Sequence, residues 1–270
     1  MTTGTAPPKV RLDVGGAVAR LTLTRPEVRN AFDDGLIAEL TAALAVIRKT
    51  FESDGDKAPR ALVLTGEGSA FCAGADMNWM RRSVRYSQAE NEEDALRFAQ
   101  MLIGLDELPI PTIARVNGAC LGGGMGLIAC CDLVVASDAA DFGFTEVRLG
   151  IAPAVISSFV LPKVGAAAAR RWFLTGEIFK ADTARAIGLV HEIAPAAELD
   201  AAVDRLADAI AGNGPLAVAA AKRLIRENTT LAHDDAIDNS VRAIAALRAS
   251  PEGQEGLSAF LEKRRPAWKK

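Results

Sequence analysis

The chain has 270 residues, 50% of them hydrophobic and 24% charged, which suits one large domain or one domain with an extension. Its formal net charge of −3 gives no electrostatic reason to expect a nucleic-acid partner. Charged residues interrupt every apolar run before it could span a bilayer, and no secretory signal pattern opens the chain.

The four cysteines, Cys72, Cys120, Cys130 and Cys131, form no C-x-x-C pair, and the adjacent two suit a reduced helix. A cytoplasmic location is the expectation. Only two histidines exist, His191 and His233, so a His-based zinc site or hydrolase triad has few candidates, and no G-x-S-x-G elbow is present. Acid–base work would fall to carboxylates.

In chain order, residues 17–24 (AVARLTLT) alternate and read as a strand. Residues 33–50 place Leu36, Ile37, Leu40, Leu44 and Ile47 at helical spacing behind two aspartates that can cap. A short buried strand follows at 61–65 (ALVLT), then the loop GEGSAFCAGAD, an acidic helix over about 88–107, and a strand at 112–116 (TIARV). NGACLGGGMGLIACCD leads to a strand at 133–137 and a loop carrying Phe142 and Phe144. From about 165 the segments are helical (165–175, 181–187, 197–211, 215–228, 233–249, 251–263), broken by the short strand LVHEI. This order predicts an α/β core over 1–195 and a helical region over 196–270.

One local design occurs twice: a buried strand, a loop of tiny residues, then a helix, at ALVLTGEGSAFCAGADMNWM and at TIARVNGACLGGGMGLIACC. Tiny residues let a ligand approach the backbone, and a helix start offers unpaired N–H groups at a positive dipole end. Two such termini converging would form an oxyanion hole. Taken alone, Gly122-Gly123-Gly124 equally suits close helix–strand packing. A dinucleotide fingerprint at Gly124–Ala129 is rejected, because the next strand arrives too soon for a crossover helix.

FCAGADMNWM, ARVNGACLGGGMGL and FGFTEVRLGIAP, with RPEVRNAF before and GLSAFLEKRRPAW after, resemble in order the signatures of the crotonase (enoyl-CoA hydratase/isomerase) family, over about residues 10–268. The resemblance implies a spiral of ββα units with a helical C-terminal trimerisation region, assembled as a trimer or a dimer of trimers. It implies an acyl-CoA substrate, no metal or redox cofactor, and an oxyanion hole made by the N–H groups of Ala75 and Gly123. Backbone around Arg29, Ala31, Ala73, Asp76 and Met77 would hold coenzyme A, with Phe260 and Lys263 reaching its nucleotide end. Asp76 also reads as the N-cap of the following helix.

Family hydratases use two glutamates, one activating water and one handling the proton beside the thioester. The resemblance places the second at Glu146; the first position is Gly126. Glu146 with Arg148 also fits a surface ion pair. Apolar neighbours (Phe142, Phe144, Val147, Leu149) would raise its pKa. Loss of the first acid puts simple hydration beside a Δ3,Δ2-enoyl-CoA isomerase with one base, and beside a non-catalytic acyl-CoA-binding protein. The wording ADMNWM, PTIARVNGA and TEVRLGIAPAVIS is similar to bacterial hydratases of the methylglutaconyl-CoA type, which favours hydration. On that reading Gly126 makes room in the acyl pocket for a branched or carboxylated group, and Arg81, Arg82 or Arg148 could meet a carboxylate. Trp79 and Met80 read as lining that pocket or as core.

Overall fold

The computed structural model describes residues 7–53 and 58–269. Its opening strands β1 (Val10–Asp13) and β2 (Val18–Leu23) pair antiparallel, followed by helix α1 (Asp34–Ser53). Strands β3 (Ala61–Gly66) and β4 (Ala70–Cys72) lead into helices α2 (Met77–Ser83) and α3 (Gln88–Asp106). The pattern repeats as β5 (Thr112–Val116), β6 (Ala119–Leu121) and α4 (Gly123–Cys130), then as β7 (Leu133–Ser137), β8 (Asp141–Gly143) and α5 (Ala154–Thr175). Strand β9 (Ile178–Lys180), helix α6 (Ala181–Ala186) and strand β10 (Glu192–Ala194) close the sheets. Helices α7 (Leu199–Ala211), α8 (Pro215–Asn228), α9 (His233–Ala249) and α10 (Pro251–Leu261) complete the chain.

Each repeat sends its first strand to one sheet and its second to another. The large sheet has the order β1-β2-β3-β5-β7-β10, parallel from β2 onward. The small sheet has the order β4-β6-β8-β9. This is a crotonase-like spiral of ββα units. Strand β3 is buried at every position, as a strand covered on both faces requires. Alternation sorts its side chains: Leu62 and Leu64 enter the main core, whereas Val63 points the other way with Ile113 and Val135.

Helix α7 covers that second face with Leu199, Val203 and Ala207, spaced four apart on one stripe. Only helical elements follow residue 195 among the described residues, yet α7 packs as part of the sheet core. Helices α8, α9 and α10 differ: each buries a single residue, Ala220, Ala243 and Ala259 respectively. The short strands of the small sheet fall in stretches expected to be loops. Helix α5 starts at Ala154, earlier than expected, and carries a break at Gly165, whose φ of 70° is left-handed.

Candidate active site

The site begins at the bend after β2. Pro26 starts a 3-10 turn, and Arg29 and Asn30 both take left-handed backbone, with φ of 53° and 56°. Asn30 is fully buried and holds this strained pair in place. Its amide donates to the carbonyls of Glu67 (3.0 Å) and Ala70 (2.8 Å), and its oxygen accepts from the Arg25 N–H.

That bend presents Phe32 to the loop after β4 as an isolated parallel bridge to Ala75. The Phe32 N–H donates to the Gly74 carbonyl and the Asp76 N–H donates to the Phe32 carbonyl, both at 2.7 Å. In such a pair the neighbours of Ala75 make the bonds, so the Ala75 N–H itself faces away from Phe32. It meets no acceptor among the described residues. Gly123 heads α4, where the first N–H groups have no intrahelical partner. Its N–H is likewise without a protein acceptor among the described residues.

The two loops touch. A Cβ on Gly122, whose φ is 50°, would lie 3.6 Å from the Gly74 Cα and 3.5 Å from the Glu146 carboxylate oxygen Oε1. A Cβ on Gly123 would press on Phe32 at 3.0 Å and Phe98 at 3.2 Å, two rings packed edge to face. Glycine at these positions is what lets both turns and a carboxylate share one place.

Glu146 starts the 3-10 turn after β8, closed by left-handed Gly150. Its Oε2 is buried and has no hydrogen-bond partner. Burial pushes its pKa up, opposed in part by a backbone hydrogen bond. A cavity of about 390 Å³ opens beside it. Ala73, Gly74, Ala75, Gly122, Gly123 and Glu146 line one part; Trp79, Met80, Phe98 and Ile156 line an apolar part, and Ser83, Asn91 and Asp94 are polar residues of the wall. Among the described residues no cluster of metal-ligating side chains occurs.

Asp76 is committed as a cap: its carboxylate accepts from the amides of Asn78 (2.7 Å) and Trp79 (3.4 Å) at the start of α2. Its other oxygen accepts from Arg25 (3.0 Å), which also reaches Asp33 at 3.1 Å and the Ala31 carbonyl. Burial would raise the Asp33 carboxyl, but the hydrogen bonds from Lys9 and the Leu36 amide, with the Arg25 charge, hold it below its usual range. Arg29 is joined to Ala73 through its carbonyl, and Met77 is exposed at the head of α2. Arg29, Ala31, Ala73, Asp76 and Met77 are therefore neighbours along one rim. Phe260 and Lys263 do not line the cavity, and Phe260 is 81% exposed.

Gly126 does not line the acyl pocket, contrary to expectation. It is buried within α4, and a Cβ there would meet Ile156 at 2.5 Å and Leu102 at 3.3 Å. The room its missing side chain leaves is filled by Ile156. Arg81 and Arg82 bond Asn78 and Asp34 instead of facing the cavity, and Arg148 does not line it. His191 accepts the Val134 amide through Nδ1 and serves the sheet. Burial drives the Cys72 thiol up to about 12, out of nucleophile range. Sequence reasoning missed Arg25 and Asn30, which lock the Ala75 loop, and Asp94 and Asn91 of α3, which line the cavity; Asp33 caps α1 as expected and also pairs with Arg25.

The family model described as enoyl-CoA hydratase/isomerase matches residues 13–270. A solved enoyl-CoA hydratase from Shewanella pealeana is 38% identical with a TM-score of 0.90, covering 96% of both chains. The 2,3-dehydroadipyl-CoA hydratase of Escherichia coli is 34% identical over 93% of this chain and 95% of its own. The crotonyl-CoA hydratase of Syntrophomonas wolfei is 33% identical over 92% of this chain and 93% of its own. The chain belongs to the enoyl-CoA hydratase/isomerase family, the crotonases.

Proposed function

We propose that this protein is an enoyl-CoA hydratase that adds water across the 2,3-double bond of a 2-enoyl-CoA thioester. One observation carries the reading: two unpartnered amides, on touching turns, beside a desolvated carboxylate. The thioester oxygen accepts from the N–H groups of Ala75 and Gly123. These donors bind it more strongly as it gains charge in the enolate, which lowers the barrier. Glu146 serves both proton steps. Its carboxylate takes a proton from water as the hydroxyl joins the β-carbon, then returns it to the α-carbon.

The rim of Arg29, Ala31, Ala73, Asp76 and Met77 holds coenzyme A through backbone groups, while Phe260 and Lys263 are assigned to its nucleotide end on resemblance alone. Trp79 and Met80 enclose the acyl chain. No metal or redox cofactor enters this chemistry. The exposed apolar residues of α8–α10 suit burial between subunits, for which the family resemblance suggests a homotrimer or a dimer of trimers; the reduced cysteines suit the cytoplasm.

A second reading, a Δ3,Δ2-enoyl-CoA isomerase with Glu146 as its single base, is favoured by the filling of the Gly126 position by Ile156. The ultraviolet absorbance of the conjugated thioester separates them. A hydratase bleaches crotonyl-CoA, whereas an isomerase builds that absorbance from 3-hexenoyl-CoA. Glu146→Gln is expected to lower turnover by at least about 100-fold, the scale of a lost acid–base group. Unchanged turnover would remove Glu146 from the chemistry. Binding of acyl-CoA without turnover of any enoyl-CoA would instead mark a non-catalytic family member.

A further inference from the structure

The family accepts acyl groups of opposite character. Among the relatives, one is named for crotonyl-CoA, an uncharged acyl group, and another for dehydroadipyl-CoA, which ends in a carboxylate. The wall of the cavity contributed by α2 and α3 bears on that choice.

Among the described residues, no Lys, Arg or His lines the cavity; its charged residues are Glu146 and Asp94. Asp94 is 9% exposed, on the α3 side of the wall. Arg97 reaches its Oδ1 at 3.1 Å but also bonds Glu93 at 2.8 Å. Two carboxylates on one half-exposed guanidinium leave the trio with one negative charge.

The neutral groups on that wall turn the same way. Ser83 donates its hydroxyl to the Met80 carbonyl at 2.9 Å. Asn91 donates its amide to the carbonyls of Tyr86 (3.3 Å) and Ser87 (3.1 Å), which leaves its side-chain oxygen without a donor. The Trp79 indole N–H is unpaired, yet it is sealed beneath neighbouring atoms. The wall thus offers acceptors and negative charge. An acyl carboxylate entering it would lose water, find no cation, and meet a like charge.

We propose that the acyl pocket selects an acyl group uncharged at its far end and rejects one that ends in a carboxylate, with Asp94 as the discriminating residue. This rests on the enoyl-CoA reading above and names its substrate class.

Binding of saturated thioesters tests the pocket without requiring turnover. Titration calorimetry would compare pentanoyl-CoA, 5-hydroxypentanoyl-CoA and glutaryl-CoA, which share a five-carbon chain. Glutaryl-CoA is expected to bind at least about tenfold more weakly than pentanoyl-CoA, a difference of about 1.4 kcal/mol. The hydroxyl analogue is expected within about threefold of pentanoyl-CoA, since the wall accepts a donor. Asp94→Asn should shrink the glutaryl-to-pentanoyl ratio to about threefold or less. Glutaryl-CoA binding as tightly as pentanoyl-CoA in the wild-type protein overturns the proposal. So does equal weakening of the hydroxyl and glutaryl analogues, which would mean that polarity alone is rejected, and so does a ratio unmoved by Asp94→Asn. If none of the three binds, the enoyl-CoA reading falls and takes this one with it; binding without discrimination sinks only the selectivity.

Discussion

Glu146 carries a pH dependence whose sign follows from its burial. Its folded pKa lies above the ordinary 4.5, so the folded state keeps the proton to higher pH than the unfolded chain does. The stability it contributes is then present at low pH and is lost as pH rises through the raised value. Glu146→Gln should be at least as stable as the wild type at neutral pH in chemical denaturation, with the gap closing below about pH 4. The acid limb of kcat/KM should sit above 4.5 and vanish in the variant. Gly122 permits a second test. Alanine there would take a left-handed φ of 50° and meet both Gly74 and Glu146. A cost of about 1–2 kcal/mol in stability is expected, with a disproportionate fall in kcat, read by melting and steady-state kinetics. At this scale the sequence revealed groups whose neighbours are local, such as the amides behind the tiny-residue loops. Asn30, Arg25 and Asp94 stayed hidden because their partners or their cavity come from segments far away in the chain, which no short pattern records.

Between elements, Arg25 is the fastening. It joins Asp33 at the head of α1 to Asp76 at the head of α2, and both carboxylates are at least as buried as it is. Arg25→Met would leave buried Asp76 without its cation and Asp33 with Lys9 alone, and destabilise by about 3 kcal/mol. Arg25→Lys keeps the charge and loses the planar fork. Under the proposed mechanism, in which the Ala75 amide binds the enolate oxygen, kcat should fall at least about tenfold while KM changes little. A parallel loss in KM alone would show that Arg25 serves only binding. Helix α4 offers another measurement. Gly126→Ala collides with Ile156 and should destabilise by about 1–3 kcal/mol. Adding Ile156→Ala, which removes the colliding Cγ2, should recover part of that, a non-additivity that a double-mutant cycle reads directly. Strands β2, β3, β5 and β7 of the large sheet were legible because five or six residues suffice to show a pattern, whereas the four-residue β1 was not. The three-residue strands β4, β6, β8 and β9 were not, since so short a run among small residues has no period.

For the whole molecule, the helical last third divides in two. Helix α7 completes the core, whereas α8–α10 leave Ile225, Val241, Leu257, Phe260 and Leu261 between 49% and 81% exposed. That much apolar surface on a single chain fits burial between subunits. Sedimentation should therefore find a trimer or hexamer, and Phe260→Glu with Leu261→Glu should shift it toward smaller species if those residues are covered. The composition switch near residue 165 made this region visible as helices, but not which helix belongs to the sheet. Sequence periodicity marks an apolar face, not the surface that meets it.

The Phe32–Ala75 bridge has one more consequence. Along an extended segment, N–H and C=O groups exchange sides with each successive residue, so what Ala75 presents to a ligand is a matter of parity. Inserting one residue between Gly74 and Ala75 would break the register of that pairing, so the amide that Phe32 now holds facing away from itself would lose its fixed direction while every side chain of the site stays in the protein. The aim of that amide is thus written in the count of residues along a single turn.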